Sequence, residues 1–360
     1  MKTRFAFLIV ACCVAGGLAA QTSNWVKASE GSLARSGSAV VQFNNRIWSL
    51  GGRAPESDVY SQAKGPLTNS IWSSPDGADW TLESLSSPWS AREGLTALSF
   101  SNRLWVIGGA SDVWSSADGV AWSRVCASAP WGIRKWHSSI VFNNRMWVLG
   151  GTESGTAMSD VWSSADGINW RQETAAAPWS ARKGQSAVVF NGGIWITGGD
   201  SGSSFLNDVW SSPDGINWTL ETAAASWSAR KDLGLAAANG RLYVVGGLLR
   251  FNGGDVPAAD AWSSQDGINW NAETFLAGWQ ARYGAAALEI NNELWILGGT
   301  DAEQVPFMDA WSSQSGATWT RQASTVGLPP KRQAHKLVSF KSKLWMLGGY
   351  DGQVVHNDVW

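Results

Sequence analysis

The 360-residue chain is short of cysteine, histidine and charge, with 3 Cys, 3 His and 16% charged residues. Cys12 and Cys13 lie in the first twenty residues, so a chain without that segment keeps Cys126 alone and has no intramolecular disulfide to staple it. Three scattered histidines give no metal-ligand spacing, and neither a metal nor another cofactor is expected. No basic excess exists either: 27 Lys+Arg stand against 29 Asp+Glu, a net charge of −2. That balance excludes a surface built to neutralise phosphates, so no nucleic-acid partner is expected. Beyond the first twenty residues nothing approaches the roughly 18 apolar residues of a membrane span.

What is abundant is tryptophan, 26 residues, together with 40 Gly and 44% hydrophobic side chains, enough to bury a sizeable core. Residues 1–20 carry Lys2 and Arg4, an apolar run from Phe5 to Val14 and small residues before Gln21, the layout of a secretory signal peptide. Cleavage there leaves 25 basic and 29 acidic residues and a secreted or periplasmic protein. Reading Ile9 to Cys12 as a lipoprotein box, with an anchor on Cys12, is the minority alternative, because it shortens the apolar core to about six residues. Residues 21–360 are then one domain.

That domain is one unit written seven times. Gly-Gly pairs end NNRIWSLGG, SNRLWVIGG, NNRMWVLGG, NGGIWITGG, NGRLYVVGG, NNELWILGG and KSKLWMLGG, 42 to 57 residues apart. Each pair follows an arginine by 16 residues: Arg35, Arg92, Arg134, Arg182, Arg230, Arg282 and Arg332. After each pair, runs such as DVWSSADGINW place two tryptophans 8 apart, from Trp72/Trp80 to Trp311/Trp319. Asn-Asn, Asn-Gly and Asp-Gly between β-rich runs read as hairpin turns, because type I′ turns need positive φ at both central residues. Each unit is therefore a four-stranded meander: strand a after the Arg, strand b into Gly-Gly, strand c through DVWSS, and strand d from the second Trp. Trp360 ends a strand c with no strand d after it, and SNWVKAS, from Ser23 to Ser29 with Trp25, supplies the missing one. Closure by pairing the two ends would hide the edges of a linear array. A chain cut after Trp360 is the other possibility.

Arg, apolar strand, NNR-type turn, strand ending in Gly-Gly, then ND-V-W and a Trp eight residues on: this order resembles the Kelch repeat over essentially all of residues 23–360. The resemblance implies an all-β, seven-bladed β-propeller of four-stranded antiparallel blades. The SSxDGxxW hairpins are similar in part to the Asp-box of sialidase propellers, with one residue fewer between Asp and Gly, and that box is a structural turn. A tryptophan repeated in every blade is more simply packing between blades than a ligand platform. The linker tryptophans Trp89, Trp131, Trp179, Trp227 and Trp279 have two readings, wedges between blades or sugar-stacking surfaces. Only Trp136 of the 26 falls outside the pattern.

From the first Gly to the strand c Trp the chain runs 21, 6, 12, 12, 16, 13 and 12 residues, while the a–b and c–d segments keep their length. In a meander the b–c loops and the arginines share a face, and variable loops on a fixed frame are where binding is usually placed. The expected site is that face, with Arg53 to Ser70, Leu248 to Ala259 and Thr300 to Met308 as its long loops. The expected ligand-binding residues are Arg35, Arg92, Arg134, Trp136, His137, Arg182, Arg230, Arg282, Tyr283, Arg332 and His335. The arginines read either as inter-blade bridges, common in Kelch repeats, or as a positive rim. Trp136 replaces the glycine seen at Gly37, Gly94 and Gly184, and His137 follows it.

A copper radical oxidase on a Kelch scaffold would need a Cys beside Tyr and His ligands, and Cys126 sits in an outer strand, away from them. The Gly-Gly pairs end strands and precede no helix, so they make no phosphate cradle. The reading favoured is a non-catalytic secreted module, a monomer, that binds an extracellular protein or glycan. The alternative implied by the resemblance is an enzyme acting on a carboxylated sugar, of the sialic acid epimerase or mutarotase type, with Glu93 and His137 as its acid–base pair.

Overall fold

The structure is a computed structural model, and it describes residues 28, 38–54, 66–77, 79–251, 254–303, 307, 309–322, 336–341, 343–349, 355–356 and 358–360. Every regular element among them is a β-strand. Six sheets have four antiparallel strands in the order a-b-c-d, as in Leu95–Phe100, Arg103–Gly108, Val113–Ser116 and Trp122–Cys126. A seventh pairs Lys336–Phe340 with Lys343–Leu347, and Leu347 bridges to Val359 as its third strand. The Ala28 N–H donates to the Val359 carbonyl at 2.8 Å, which brings the amino-terminal segment onto the last blade. Trp25 and the rest of that strand lie outside the described residues. The seven innermost strands, beginning at Ala39, Leu95, Ser138, Ser186, Gly234, Ala286 and Lys336, each lie beside the next, and the last lies beside the first. The all-β propeller expected from the repeat is what forms.

Local sequence explains the strands. The a–b turns carry positive φ at both central residues, 47° and 53° at Asn44 and Asn45, the type I′ geometry that Asn tolerates best after Gly. At the c–d turn the Ser116 hydroxyl accepts the Gly119 N–H at 2.7 Å, the Asp118 carboxylate accepts two N–H groups at 2.8 Å, and the Trp122 indole donates to the Gly119 carbonyl at 2.9 Å. In the equivalent turn of the next blade partial burial raises the Asp166 carboxyl, but the N–H and side chain of Asn169, the Ile168 N–H and the Ser164 hydroxyl outweigh it and hold it at about 2. These hairpins are structural turns.

Tryptophan joins the blades. The strand b rings of Trp48, Trp105, Trp147, Trp195 and Trp345, with Tyr243, pack on the hairpin glycine of the following blade. A Cβ on Gly119 would lie 2.0 Å from the Trp48 ring, and Gly119 has φ +83°, so both space and backbone demand glycine. Trp345 meets Gly77 in the same way, carrying the pattern from the seventh blade to the first. The linker tryptophans are buried too, and they meet the strand d tryptophan of the blade they enter edge to face, Trp131 against Trp170 at 4.4 Å and Trp279 against Trp319 at 4.3 Å. Of the two readings for these five, the wedge is what forms, and their rings keep almost no surface for a sugar.

Candidate functional site

The Arg-bearing segments and the b–c loops share one face. Arg134–Lys135 pairs with Thr152–Glu153, Arg230–Lys231 pairs with Leu248–Phe251, and Lys183 and Tyr283 bridge to Asp200 and Thr300. On the opposite face a–b turns reach the c–d hairpin of the next blade, as in Asn44 to the Ala117 carbonyl and Lys341 to the Pro75 carbonyl.

The arginines do not form an open rim, which corrects the expectation that they contact ligand. Arg92, Arg134, Arg182, Arg230 and Arg282 are 0 or 1% exposed. Each ion-pairs with the aspartate that starts strand c of its own blade: Asp112, Asp160, Asp208, Asp260 and Asp309, at 2.5 to 2.7 Å. Each also donates to the carbonyl of its blade's first Gly, from Gly108 to Gly298. The same aspartates accept the strand c indole N–H, as Asp160 does from Trp162 at 2.7 Å. Arg182 and Arg230 lie over Trp179 and Trp227 at 5.6 and 5.5 Å. A guanidinium so enclosed is closed to an outside partner, even where the Arg134 Nε is left unpaired, and its role is to knit loop, strand and linker. Arg35, Arg332 and His335 lie outside the described residues.

His137 is also buried, at 0% exposure, which overturns its placement at an open pocket wall. Its ring is wedged between Gly108 and Gly151, with Nε2 3.2 Å from the Thr96 hydroxyl and Nδ1 without a partner. Burial, helped by the Arg134 charge, pushes its pKa down to about 3 against the opposing pull of Asp160. Glu93 is held by Arg53 through two bonds of 2.7 and 2.9 Å. The two residues expected as an acid–base pair are thus one sealed in the interior and one engaged in an ion pair. Among the described residues no group of three or more His, Cys, Asp or Glu could hold a metal.

Two positions after each described arginine the chain makes a tight turn whose residue is half-buried at Gly94, Trp136 and Gly284 and buried at Gly184 and Asp232. All five described copies have positive φ: Gly94 at 70°, Trp136 at 53°, Gly184 at 63°, Asp232 at 51° and Gly284 at 63°. Here the chain turns into strand a, and between the later blades the turns bond to one another, Asp232 N–H to the Gly184 carbonyl and Gly284 N–H to that of Asp232. A tryptophan in this left-handed geometry costs about 1 kcal/mol relative to glycine. Trp136 is half-buried, as are Lys135, Lys183 and Tyr283 beside the turns. Sequence reasoning missed Asp200 and Lys231 at this mouth, and took Arg53 only as the start of a long loop. Lys231 bonds Asp200 at 2.9 Å and lies 4.7 Å over the Phe205 ring, whose centroid is 4.1 Å from Arg250. Burial raises the Asp200 carboxyl, but Lys231, the Gly202 N–H and the Lys183 charge outweigh it and leave it below the usual range.

Two family models match the chain, a DUF6242 beta propeller domain over residues 19–135 and the Kelch motif over residues 181–211. The chain is a β-propeller with a Kelch motif in its fourth blade. Among solved structures this propeller is similar to that of YjhT, at 14% identity and a TM-score of 0.58, over 76% of this chain and 95% of that one. At that identity the likeness speaks for the fold. No curated protein matches the chain.

Proposed function

We propose that this propeller is an exported, monomeric, non-catalytic binding module that captures an extracellular protein or glycan on the face of the b–c loops. The observation that carries the reading is Trp136. It is a large aromatic ring at the mouth, held in a backbone conformation that Gly94, Gly184 and Gly284 adopt without cost. Of the two non-glycine copies of this turn, Asp232 is buried and of a type that tolerates positive φ. The strain of a large ring is therefore kept at Trp136, on the face where all loop-length variation falls, as at a surface kept for contact. The signal-like residues 1–20 support export. The state of Glu93 and His137 supports binding over catalysis, since neither is placed to exchange a proton with a bound molecule.

The test is a screen of glycan and extracellular-protein arrays with wild-type protein and Trp136→Gly. Glycine satisfies the turn, so the variant keeps its fold, shown by an unchanged or raised melting temperature. Capture lost at least tenfold in the variant is expected, and equal capture by both proteins would remove the assignment.

A further inference from the structure

The five described blade junctions share one hydrogen bond: the second Gly of each pair donates to the carbonyl of the next blade's arginine. It runs Gly52 to Arg92, Gly109 to Arg134, Gly151 to Arg182, Gly199 to Arg230 and Gly247 to Arg282, each at 2.9 Å. The residues that follow the glycine and the arginine therefore face each other in the same register at every junction. At the first junction they are Arg53 and Glu93, joined at 2.7 Å. At the fourth they are Asp200 and Lys231, joined at 2.9 Å. At the fifth they are Leu248 and Tyr283, an apolar and an aromatic residue.

The second and third junctions break this order. Across the junction they set Ala110 against Lys135 and Thr152 against Lys183, so neither junction carries a carboxylate of its own, although within its blade Lys183 bridges through the backbone to Asp200. Lys135 lays its stem over Gly94, with carbons 3.3 to 3.6 Å from where a Cβ would stand, and neither lysine has an ion pair among the described residues. Glu153, in the same blade as Lys135, is turned onto Gly132. Asp200, which feels the Lys183 charge, is already bonded to Lys231. These two junctions are the two sides of the third blade, and the mouth residue of that blade is Trp136.

Resting on the binding role proposed above, we infer that the mouth of the third blade is a subsite for an acidic glycan. A sugar ring lies on the Trp136 indole while anionic substituents reach Lys135 and Lys183. Neither half-buried lysine has the direct ion pair that Lys231 has, so an anion brought by a ligand supplies what Asp200 supplies to Lys231. The indole offers a flat apolar face to the C–H patch of a pyranose. Lysine fits this use, because a compact ammonium accepts an anion from several directions and does not demand the planar pairing of arginine.

The probe is a defined oligogalacturonate, titrated by calorimetry at low and high salt beside its neutral methyl ester and a poly-glutamate peptide. The expected result is binding of the acidic sugar that weakens with salt, no binding of the ester, and weaker binding of the peptide. Lys135→Met with Lys183→Met should weaken binding at least tenfold. Ala110→Asp with Thr152→Asp should do the same while both lysines remain, since the added carboxylates copy Asp200 opposite Lys231. Melting curves establish that each variant is folded, and if the aspartate pair fails to fold, the methionine pair alone decides. Equal binding of ester and acid, preference for the peptide, unchanged affinity in folded variants, or no binding of the acidic sugar would each overturn the subsite. A neutral ligand captured on the arrays and lost in Trp136→Gly would overturn it and leave the binding face standing; loss of neither would end both.

Discussion

His137 makes acid sensitivity of this fold a calculable quantity. Its pKa is depressed from 6.5 to about 3 by burial and by Arg134, so the unfolded chain takes up a proton between those values that the folded chain refuses. The contribution is fully present above pH 6.5 and is lost as pH falls toward 3. Linkage then gives a loss of about 2 kcal/mol between pH 7 and pH 5, growing to about 4 kcal/mol by pH 3.5. His137→Gln removes the titration while keeping a side chain that the fold accepts, because Gln185 holds the same place in the next blade and bonds the Leu149 carbonyl at 3.0 Å. Urea unfolding of wild type and variant at pH 7, 6, 5 and 4 is the assay, and the difference between the two curves cancels every other titrating group. The wild type should lose about 2 kcal/mol more than the variant by pH 5. Parallel curves would show that His137 charges inside the fold and would refute the wedge between Gly108 and Gly151 as a sealed site.

Three further substitutions test the frame. Arg182→Met removes the cation from the half-buried Asp208 and should cost about 3 kcal/mol in urea unfolding, with ligand capture by the remaining folded protein unchanged. Gly119→Ala meets both the +83° backbone and the Trp48 ring, and should cost about 3 kcal/mol by the same measurement, whereas Gly155→Ala, with nothing near its Cβ, should cost only about 1–2 kcal/mol for its positive φ. Ser70 stands where the other described blades have aspartate, and the Trp72 indole N–H is buried without a partner. Ser70→Asn offers it an acceptor and should raise stability by about 1 kcal/mol, read as a rise in melting temperature.

The blade was legible because its turns and rings repeat at fixed intervals within one sheet. Asn44-Asn45, the Ser116-to-Trp122 hairpin and the Arg-to-Gly spacing are all local, and local geometry writes itself into spacing. The arginine partners were harder to see. Arg92 and Asp112 are 20 residues apart and Arg230 and Asp260 are 30 apart, because the b–c loop between them varies while the two ends meet in one place. A constant contact across a variable loop has no constant period. The burial of His137 did have a signal: Leu95, Leu233 and Ala285 occupy its position in other blades and are all buried. The charge pairs at the mouth join residues of different repeats, and only an alignment of each Gly-Gly successor with the next blade's Arg successor would have shown Lys135 and Lys183 facing Ala110 and Thr152.

The contact between a strand b ring and the following blade's glycine also bears on how such a ring can be edited. Trp48 and Gly77 belong to one unit, as do Trp105 and Gly119, so each of the first five copies carries both a knob for its successor and a hole for its predecessor. Any of these units can therefore follow another without a new interface being invented. Duplication or excision of a whole unit leaves every remaining knob facing a matched hole, while a deletion that starts and stops at different points in two units orphans one of each. The parts are interchangeable on the side that builds the ring, and individuality is free to accumulate on the face that does not.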